Sequence, residues 1–192
     1  MEARRLLDIL AIAERLKDTL RHCFTSKGRH ESVAEHSWMM TLMAFFMREE
    51  FPEADMEKVI RMCIIHDLGE CFTGDIPTFD KTEKDEGTEK NRLFSWVDSL
   101  PENYRDEMRA LYEEMEARET TEAKVYKAID NLEAVIQHNF SDIGTWIPRE
   151  YDLNLVYGND KVAFSEYLKT LREEIRRDTL RKIEEESLQK QT

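Results

Sequence analysis

The stretch that decides the fold is CIIHDLGECFTGDIP, residues 63–77, in which an apolar run leads directly into charged residues. The apolar run ends at Ile65 and is typical of the last turns of a buried helix, and His66 and Asp67 follow it without a break. A carboxylate that enters a protein core without a partner is very costly, so it requires a cation or several hydrogen-bond donors. This stretch therefore predicts a helical core with a charged cluster built into it.

The helix that carries this stretch is expected to begin after Asp55, a suitable N-cap, and to run to about Asp67, with Gly69 as its stop. Its inward-facing stripe follows the helical period and comprises Met56, Ile60, Cys63 and Asp67. Asp67 thus occupies the next position of an apolar face, and His66 lies one step round the helix. Two further carboxylates, Glu70 and Asp75, follow in the loop.

Helical periodicity extends over most of the remaining chain. A helix starting at Val33 is preceded by a capping box, in which Ser32 is the N-cap and Glu35 its partner. Because this helix is apolar almost all round from Trp38 to Met47, we expect it in the middle of the bundle. We predict other helices at about residues 2–20, 82–98, from 101 onward, 121–139 and 160–185. The residues from 21 to 31 are expected to form a polar loop, and those around 142–158 a looser segment.

These elements predict an all-α, single-domain bundle of about six to eight helices, without strands, over residues 1–192. A chain of 192 residues is long enough for one sizeable core and short for two. The six glycines and four prolines are few, which favours helices over a turn-rich sheet protein.

The formal net charge of −13 argues against nucleic-acid polymers and anionic membranes as partners, because lysine and arginine lead binding to both. A small phosphorylated substrate remains possible, since a metal ion can reverse the sign of the local field. No apolar run approaches the ~18 residues of a membrane span. The three cysteines are odd in number and lack metal-site spacing, so we expect a reducing, cytoplasmic compartment.

Three predicted helices each direct a metal-capable side chain inward: His36 in one, His66 with Asp67 in another, and Asp130 in the third. Two imidazoles and two carboxylates suit a divalent ion such as Mn, Fe, Co, Ni or Zn better than Ca. The same residues would also be compatible with buried ion pairs that hold no metal. If a metal is bound, Glu70 and Asp75 are surplus to its binding and are suited to moving a proton.

The order and spacing of four blocks resemble the HD superfamily of metal-dependent phosphohydrolases, and within it the branch that contains bacterial 5′-deoxynucleotidases. The blocks are ESVAEHS, IHDLGE, TGDIP and AIDNLEAV, and the likeness covers about residues 1–145. The resemblance implies an HD-domain-like helical fold, one divalent metal ion, and release of phosphate from nucleoside 5′-monophosphates by attack of a metal-bound water.

Carried over residue by residue, the resemblance places His36, His66, Asp67 and Asp130 on the metal-ligand positions. Glu70 and Asp75 fall on the two acidic positions used in catalysis and substrate contact. The family pattern has an Arg–Trp pair after the first helix, in which the arginine binds phosphate and the tryptophan lines the sugar pocket. Arg21 stands at the first position, but His22 replaces the tryptophan, so phosphate binding is expected and selection of deoxyribose is not.

Two alternatives remain open from the sequence. The first is an HD hydrolase that acts on another phosphoester, such as a nucleoside triphosphate, a cyclic nucleotide or a guanosine polyphosphate alarmone. The second is a non-enzymatic helical protein that a metal stabilises and that binds a partner. Only one HD block is visible, with no second histidine-rich cluster, and we expect His138 to be structural. Relatives in this family are often dimers, so we expect a homodimer.

Overall fold

The computed structural model describes residues 1–190, and within that range helices dominate the chain. Eight helices have nine or more residues, and a ninth, α4, is a single turn. Their bounds are α1 Ala3–Ala13, α2 Val33–Phe46, α3 Met56–Ile65, α4 Glu70–Thr73, α5 Glu83–Val97, α6 Glu102–Ala117, α7 Thr121–Phe140, α8 Pro148–Val156 and α9 Glu166–Gln189. The predicted all-α bundle of six to eight helices is confirmed.

Helices α2, α3 and α7 pack against one another and form the centre of the bundle. Met40 of α2, Met62 of α3 and Ile129 of α7 are completely buried between them. α6 and α9 pack on α7, and α8 packs on α9. The three central helices therefore carry the three segments in which the sequence predicts metal ligands.

The most completely enclosed helix is α7 rather than α2, contrary to the sequence-based expectation. α2 packs on α3 and α7 with one face, while Trp38, Phe45 and Phe46 of its other face are exposed. The apolar residues that appeared to surround α2 thus form a core face and an exposed apolar face.

A two-stranded antiparallel sheet replaces the polar loop expected after the first helix. Strands β1, Leu20–Phe24, and β2, His30–Ser32, are joined by a turn in which Gly28 has a φ of 79°. The inward-facing side chains of this hairpin include Arg21 and Glu31, which pair with each other. Because these inward residues are charged, the hairpin lacks the apolar alternation by which strands are predicted.

Helix ends differ from the predictions in four places. α3 ends at Ile65, so that His66 and Asp67 lie in the turn that leads to α4. The first helix ends at Ala13 and continues as a short 3-10 turn. The segment expected to be loose contains α8, and α9 begins six residues later than the predicted 160, leaving Phe164 partly exposed. The capping box of Ser32 and Glu35 is confirmed.

Two further sequence expectations can be compared with the fold. None of the helices in residues 1–190 combines the length and the apolar character that a bilayer crossing requires. Cys23, Cys63 and Cys71 are free thiols, and all three are buried.

Candidate metal centre and cleft

Four predicted ligand side chains converge where the three central helices meet. The Nε2 atom of His36 lies 3.3 Å from Oδ1 of Asp130 and 3.9 Å from Oδ2 of Asp67. The Nε2 atom of His66 lies 2.8 Å from the same oxygen of Asp67. Ligand atoms of His36, His66 and Asp67 all lie within 4.8 Å of one another. The structure therefore brings the four residues of the sequence prediction together around one point.

The local structure of each segment explains how its side chain reaches the place where the four residues meet. His36 is in the first turn of α2, whose start is fixed by the capping box at Ser32. His66 and Asp67 leave the end of α3 together, and the break in that helix turns both side chains toward α2 and α7. Asp130 lies midway along the buried helix α7.

Both imidazoles present Nε2 to the centre because Nδ1 is engaged elsewhere. Nδ1 of His36 is hydrogen-bonded to the buried carboxylate of Glu133, and Nδ1 of His66 donates to the carbonyl oxygen of Cys63 at 2.9 Å. A neutral imidazole that donates from Nδ1 carries no hydrogen on Nε2. Ligand histidines in metalloproteins are oriented in this way by a carboxylate or a backbone carbonyl.

Nε2 of His66 is the most informative atom of the centre. It is buried and has no hydrogen-bond partner among the described residues. In the neutral ring, whose hydrogen lies on Nδ1, the lone pair of Nε2 lies 2.8 Å from Oδ2 of Asp67, which is also an acceptor. Two acceptors at this distance repel each other unless a cation lies between or beside them. The donor set therefore fits a bound divalent ion.

The charges of the centre favour the same conclusion. Burial disfavours a charged imidazole at His36, but Glu133 and Asp130 outweigh it and raise the pKa of His36 to about 9. Burial would raise the pKa of Asp67, but the two neighbouring histidines lower it to about 2. The centre thus holds ionised carboxylates and attracts positive charge, which a metal ion would supply.

Sequence reasoning missed the residues that support this centre. Glu133 is fully buried and bonds both His36 and the guanidinium of Arg21. The same guanidinium nitrogen contacts Glu31 at 3.1 Å. One signal for Glu133 was present, because it follows Asp130 by three residues and so lies on the same face of α7. Arg21 was predicted, but its two buried carboxylate partners were not.

The two acidic residues expected to act in catalysis differ in their surroundings. Glu70 opens α4, is buried, and its Oε2 has no hydrogen-bond partner among the described residues. Burial, together with the charges of Asp67 and Asp75, raises the pKa of Glu70 to about 10. Asp75 follows Gly74, whose φ of 79° turns the chain into the cleft, and burial raises the pKa of Asp75 as well.

A cleft of about 300 Å³ opens beside the metal centre. Its walls include Arg21, His22, Asp75, Phe79, Lys127, Asp130 and Tyr157. Nζ of Lys127 lies 2.5 Å from the second carboxylate oxygen of Asp130. Lys127 was not predicted, although it precedes Asp130 by three residues. Together with Arg21 it gives the cleft two cationic side chains in a strongly acidic protein.

A second group, of two histidines and a carboxylate, lies beside the same cleft, although the sequence shows no second histidine-rich block. Nε2 of His22 lies 2.7 Å from Oε1 of Glu150, and Nε2 of His138 lies 3.7 Å from that oxygen. We call this group the His22–Glu150–His138 cluster. Both histidines line the cleft. Glu150 escaped prediction because α8 was taken for a loose segment.

Comparisons with known proteins agree with this arrangement. A family model for the HD domain matches residues 13–172. Human 5'-deoxynucleotidase HDDC2 is 32% identical over 139 residues, which are 70% of this chain and 67% of the human protein. A predicted metal-dependent phosphohydrolase from Magnetospirillum magnetotacticum superposes with a TM-score of 0.77 at 28% identity, covering 93% of this chain and 94% of that one. The HD phosphohydrolase DatZ of cyanophage S-2L, solved with dA and one catalytic Zn²⁺, shares the fold. Its sequence is 20% identical, and the superposition has a TM-score of 0.57 and covers 91% of this chain and 96% of that chain.

Proposed function

The chain belongs to the HD domain family, and from this premise we propose that it is a metal-dependent 5′-nucleotidase that releases phosphate from nucleoside 5′-monophosphates. The observation that carries the proposal is the unpartnered Nε2 of His66 opposite Asp67, within a set of four ligand side chains. The names of the curated relatives, 5′-deoxynucleotidases, support the substrate class.

We propose that His36, His66, Asp67 and Asp130 hold one ion of Mn, Co, Fe, Ni or Zn. Imidazole nitrogen with carboxylate oxygen is the ligand set that these ions share. When bound, such an ion polarises a phosphoryl oxygen and lowers the pKa of water. Four protein ligands leave room in an octahedral shell for substrate oxygen.

The cationic side chains of the cleft are suited to a phosphate group. Arg21 offers a planar fork of donors, of which one nitrogen is occupied by Glu31 and Glu133 and the others remain for substrate. Lys127 sits directly beside Asp130, at the border between the metal centre and the cleft. A phosphate bound there is adjacent to the ion and has its charge balanced from two sides.

Glu70 is the proposed proton-transfer group. Its carboxyl group is kept protonated by burial and by the neighbouring carboxylates, which is the state of a general acid. A phosphomonoester needs a proton on the departing alcohol oxygen, and Glu70 lies next to the metal ligands that position the phosphate. Asp75, on the wall of the cleft, is proposed to share this work or to contact the sugar.

The test is a phosphate-release screen with nucleoside mono-, di- and triphosphates, after chelation and reloading with each divalent ion. The proposal predicts release from monophosphates that depends on added metal. Release from triphosphates alone would indicate the alternative HD activity. If no substrate is cleaved with any ion, the proposed function is wrong, and a structural metal with a binding role becomes the better account.

We also propose that the enzyme is a cytoplasmic homodimer. Three buried free thiols suit a reducing compartment.

The exposed apolar side chains of α1 and α2, with Ile64 beside them, flank a groove of about 690 Å³. An exposed apolar patch of this kind is typical of an interface between copies of a chain. The contributing residues are Leu7, Leu10, Trp38, Phe45 and Ile64. Trp38→Lys should halve the mass measured by light scattering, and an unchanged mass would place any interface elsewhere.

A further inference from the structure

His22 and His138 line the cleft, Glu150 lies behind them, and four of the six side-chain nitrogen and oxygen atoms of the His22–Glu150–His138 cluster have hydrogen-bond partners. Oε1 of Glu150 faces His22, and Oε2 accepts from the backbone N–H of Ile147 at 2.8 Å, so the carboxylate is fixed at both oxygens. Nδ1 of His138 contacts the side-chain amide of Asn154 at 3.1 Å. Among the described residues, Nδ1 of His22 and Nε2 of His138 have no hydrogen-bond partner, and Nε2 of His138 lies 3.7 Å from Oε1 of Glu150.

The contact with Glu150 determines where the hydrogen of His22 lies. Burial would raise the pKa of Glu150, but the hydrogen bond from His22, helped by that from the backbone of Ile147, contributes to lowering it. An ionised carboxylate only accepts hydrogen bonds, so the nitrogen 2.7 Å away, Nε2, must carry a hydrogen. In the neutral ring, Nδ1 is then an acceptor. The side chain of His22 is one-third exposed and lines the cleft.

The place of His22 along the cleft follows from its neighbour in the chain. Arg21 reaches Glu133, which itself bonds the metal-ligand candidate His36, so the phosphate-binding end of the cleft begins at Arg21. His22 is one residue farther along β1, and its ring packs edge-on against Phe79 and His138. In a nucleoside 5′-monophosphate, the sugar is the part that follows the phosphate.

We propose that Glu150 positions His22 so that Nδ1 of the imidazole hydrogen-bonds a sugar hydroxyl of the nucleotide, and that the cleft accepts ribose as well as deoxyribose. The inference rests on the proposed function. A hydroxyl group both donates and accepts, so it matches the single open nitrogen of the ring. Glu150 is a positioning residue, because it acts only through His22.

A bound metal ion is the rival explanation for this cluster, because its three ligand atoms lie within 4.8 Å of one another. The contacts favour hydrogen bonding instead. Here a donor faces an acceptor at 2.7 Å, whereas at His66 and Asp67 two acceptors face each other at 2.8 Å. With the amide of Asn154 donating to Nδ1, the hydrogen of His138 also lies on Nε2, which then has no lone pair to offer an ion.

The first test compares the 5′-monophosphates of adenosine, 2′-deoxyadenosine, 3′-deoxyadenosine and 2′,3′-dideoxyadenosine. We expect kcat/KM to fall about tenfold when the hydroxyl that His22 contacts is absent, since one net hydrogen bond is lost. The two singly deoxygenated substrates show whether that hydroxyl is 2′ or 3′. In His22→Phe, which keeps a flat ring, this preference should fall to about twofold or less.

Several results would overturn the inference while leaving the proposed function intact. Equal rates on all four substrates in the wild type would do so, as would an equal loss on all four in His22→Phe. If the wild type cleaves none of the four, the proposed function itself fails. A second metal equivalent per chain that disappears in Glu150→Gln would make the cluster an ion site.

The second test uses Glu150→Gln, in which Ile147 still needs an acceptor and therefore fixes the amide oxygen at the Oε2 position. The amide nitrogen then faces His22 and must donate, so the hydrogen of the ring moves from Nε2 to Nδ1. We expect nitrogen-15 NMR of the imidazole to show this exchange of tautomers, and KM to rise severalfold for hydroxyl-bearing substrates while kcat changes little.

Glu166→Gln is the matched control, because it also removes a first-turn carboxylate but lies in the exposed first turn of α9. It should leave both the tautomer and KM unchanged. An unchanged His22 tautomer in Glu150→Gln would show that Glu150 does not position the ring.

Discussion

The candidate metal centre and the His22–Glu150–His138 cluster border one cleft and use the same residue types, yet they differ in how their atoms face one another. At His66 and Asp67, a neutral imidazole places its lone pair 2.8 Å from a carboxylate oxygen, and that nitrogen makes no hydrogen bond among the described residues. At His22 and Glu150, a donor and an acceptor lie 2.7 Å apart. Side chains whose donors and acceptors are paired with one another do not require a cation. Side chains that bring two acceptors together require a cation to relieve their repulsion.

The two regions also differ in whether they favour a protonated or a neutral histidine. Burial lowers the pKa of both His36 and His138, but at His36 the carboxylates Glu133 and Asp130 prevail and raise it to about 9. At His138 burial prevails, and the pKa falls to about 4. The environment of the first histidine favours positive charge, and the environment of the second favours a neutral ring.

The largest expected effect comes from Asp67→Asn, which removes the charge of one ligand in the metal centre. The ion stabilises the transition state by several kcal/mol, so activity should fall about 10³-fold or more and bound metal should be lost. Metal content by mass spectrometry and phosphate release measure both. Retention of a full metal equivalent would show that Asp67 is not a ligand.

Glu70→Gln should lower kcat about 10²- to 10⁴-fold while leaving the metal in place, because it removes only the proton-transfer group. The variant therefore separates the loss of proton transfer from the loss of metal binding. Loss of the metal in this variant would mean that Glu70 is a ligand instead.

The same variant should stabilise the metal-free protein at high pH. Burial raises the pKa of Glu70 from 4.5 to about 10, so between these values the unfolded chain releases a proton that the folded chain retains. That difference costs stability increasingly as pH rises through this window, and glutamine has no such proton to lose. Thermal unfolding in chelator should therefore show a larger gain for Glu70→Gln at pH 9 than at pH 5.

Glu133→Gln should weaken metal binding about 10- to 100-fold without abolishing it, since Glu133 orients His36 but does not coordinate the ion. Glu31→Gln is the matched control, because Glu31 also contacts Arg21 but makes no hydrogen bond to His36. Competition with a chelator measures both affinities. Equal weakening in the two variants would assign the effect to Arg21 rather than to His36.

The smallest effect is expected from His138→Asn in the second region. The pKa of His138 is lowered from 6.5 to about 4, so the wild type loses stability as pH falls from 6.5 to 4, where the unfolded chain binds the additional proton. The variant should be less stable than the wild type at pH 7 by about 1 kcal/mol, and this gap should close and then reverse as the pH falls toward 4. A gap that stays constant with pH would mean that His138 titrates normally.

The convergence of His36, His66, Asp67 and Asp130 could be predicted from the sequence, because these polar residues stand within or directly after periodic apolar patterns. Asp67 follows the apolar run of α3, although that helix ends at Ile65 and its buried stripe is Met56, Val59, Met62 and Cys63. His36 follows a capping box that fixes its place on α2. These are local signals, and three helices that share one core must bring them together. The bundle and its ligand helices follow from the same periodicity.

The second region could not be predicted in the same way, because its contacts join residues that are far apart in the chain. His22 lies on a strand whose inward side chains are charged, and Glu150 lies on a nine-residue helix within a segment lacking a clear apolar stripe. Their meeting depends on how α8 packs on α9 and how β1 packs near α7. Neither packing has a local sequence signal, whereas Glu133 had one in its spacing from Asp130.

The most direct test of the comparison is a crystal structure of the metal-loaded enzyme with anomalous scattering recorded at the absorption edge of the ion, together with metal content per chain. We predict one equivalent and one anomalous peak, about 2.0–2.3 Å from ligand atoms of His36, His66, Asp67 and Asp130. The His22–Glu150–His138 cluster should show no peak. A peak at that cluster, or its absence at His66 and Asp67, would contradict the account.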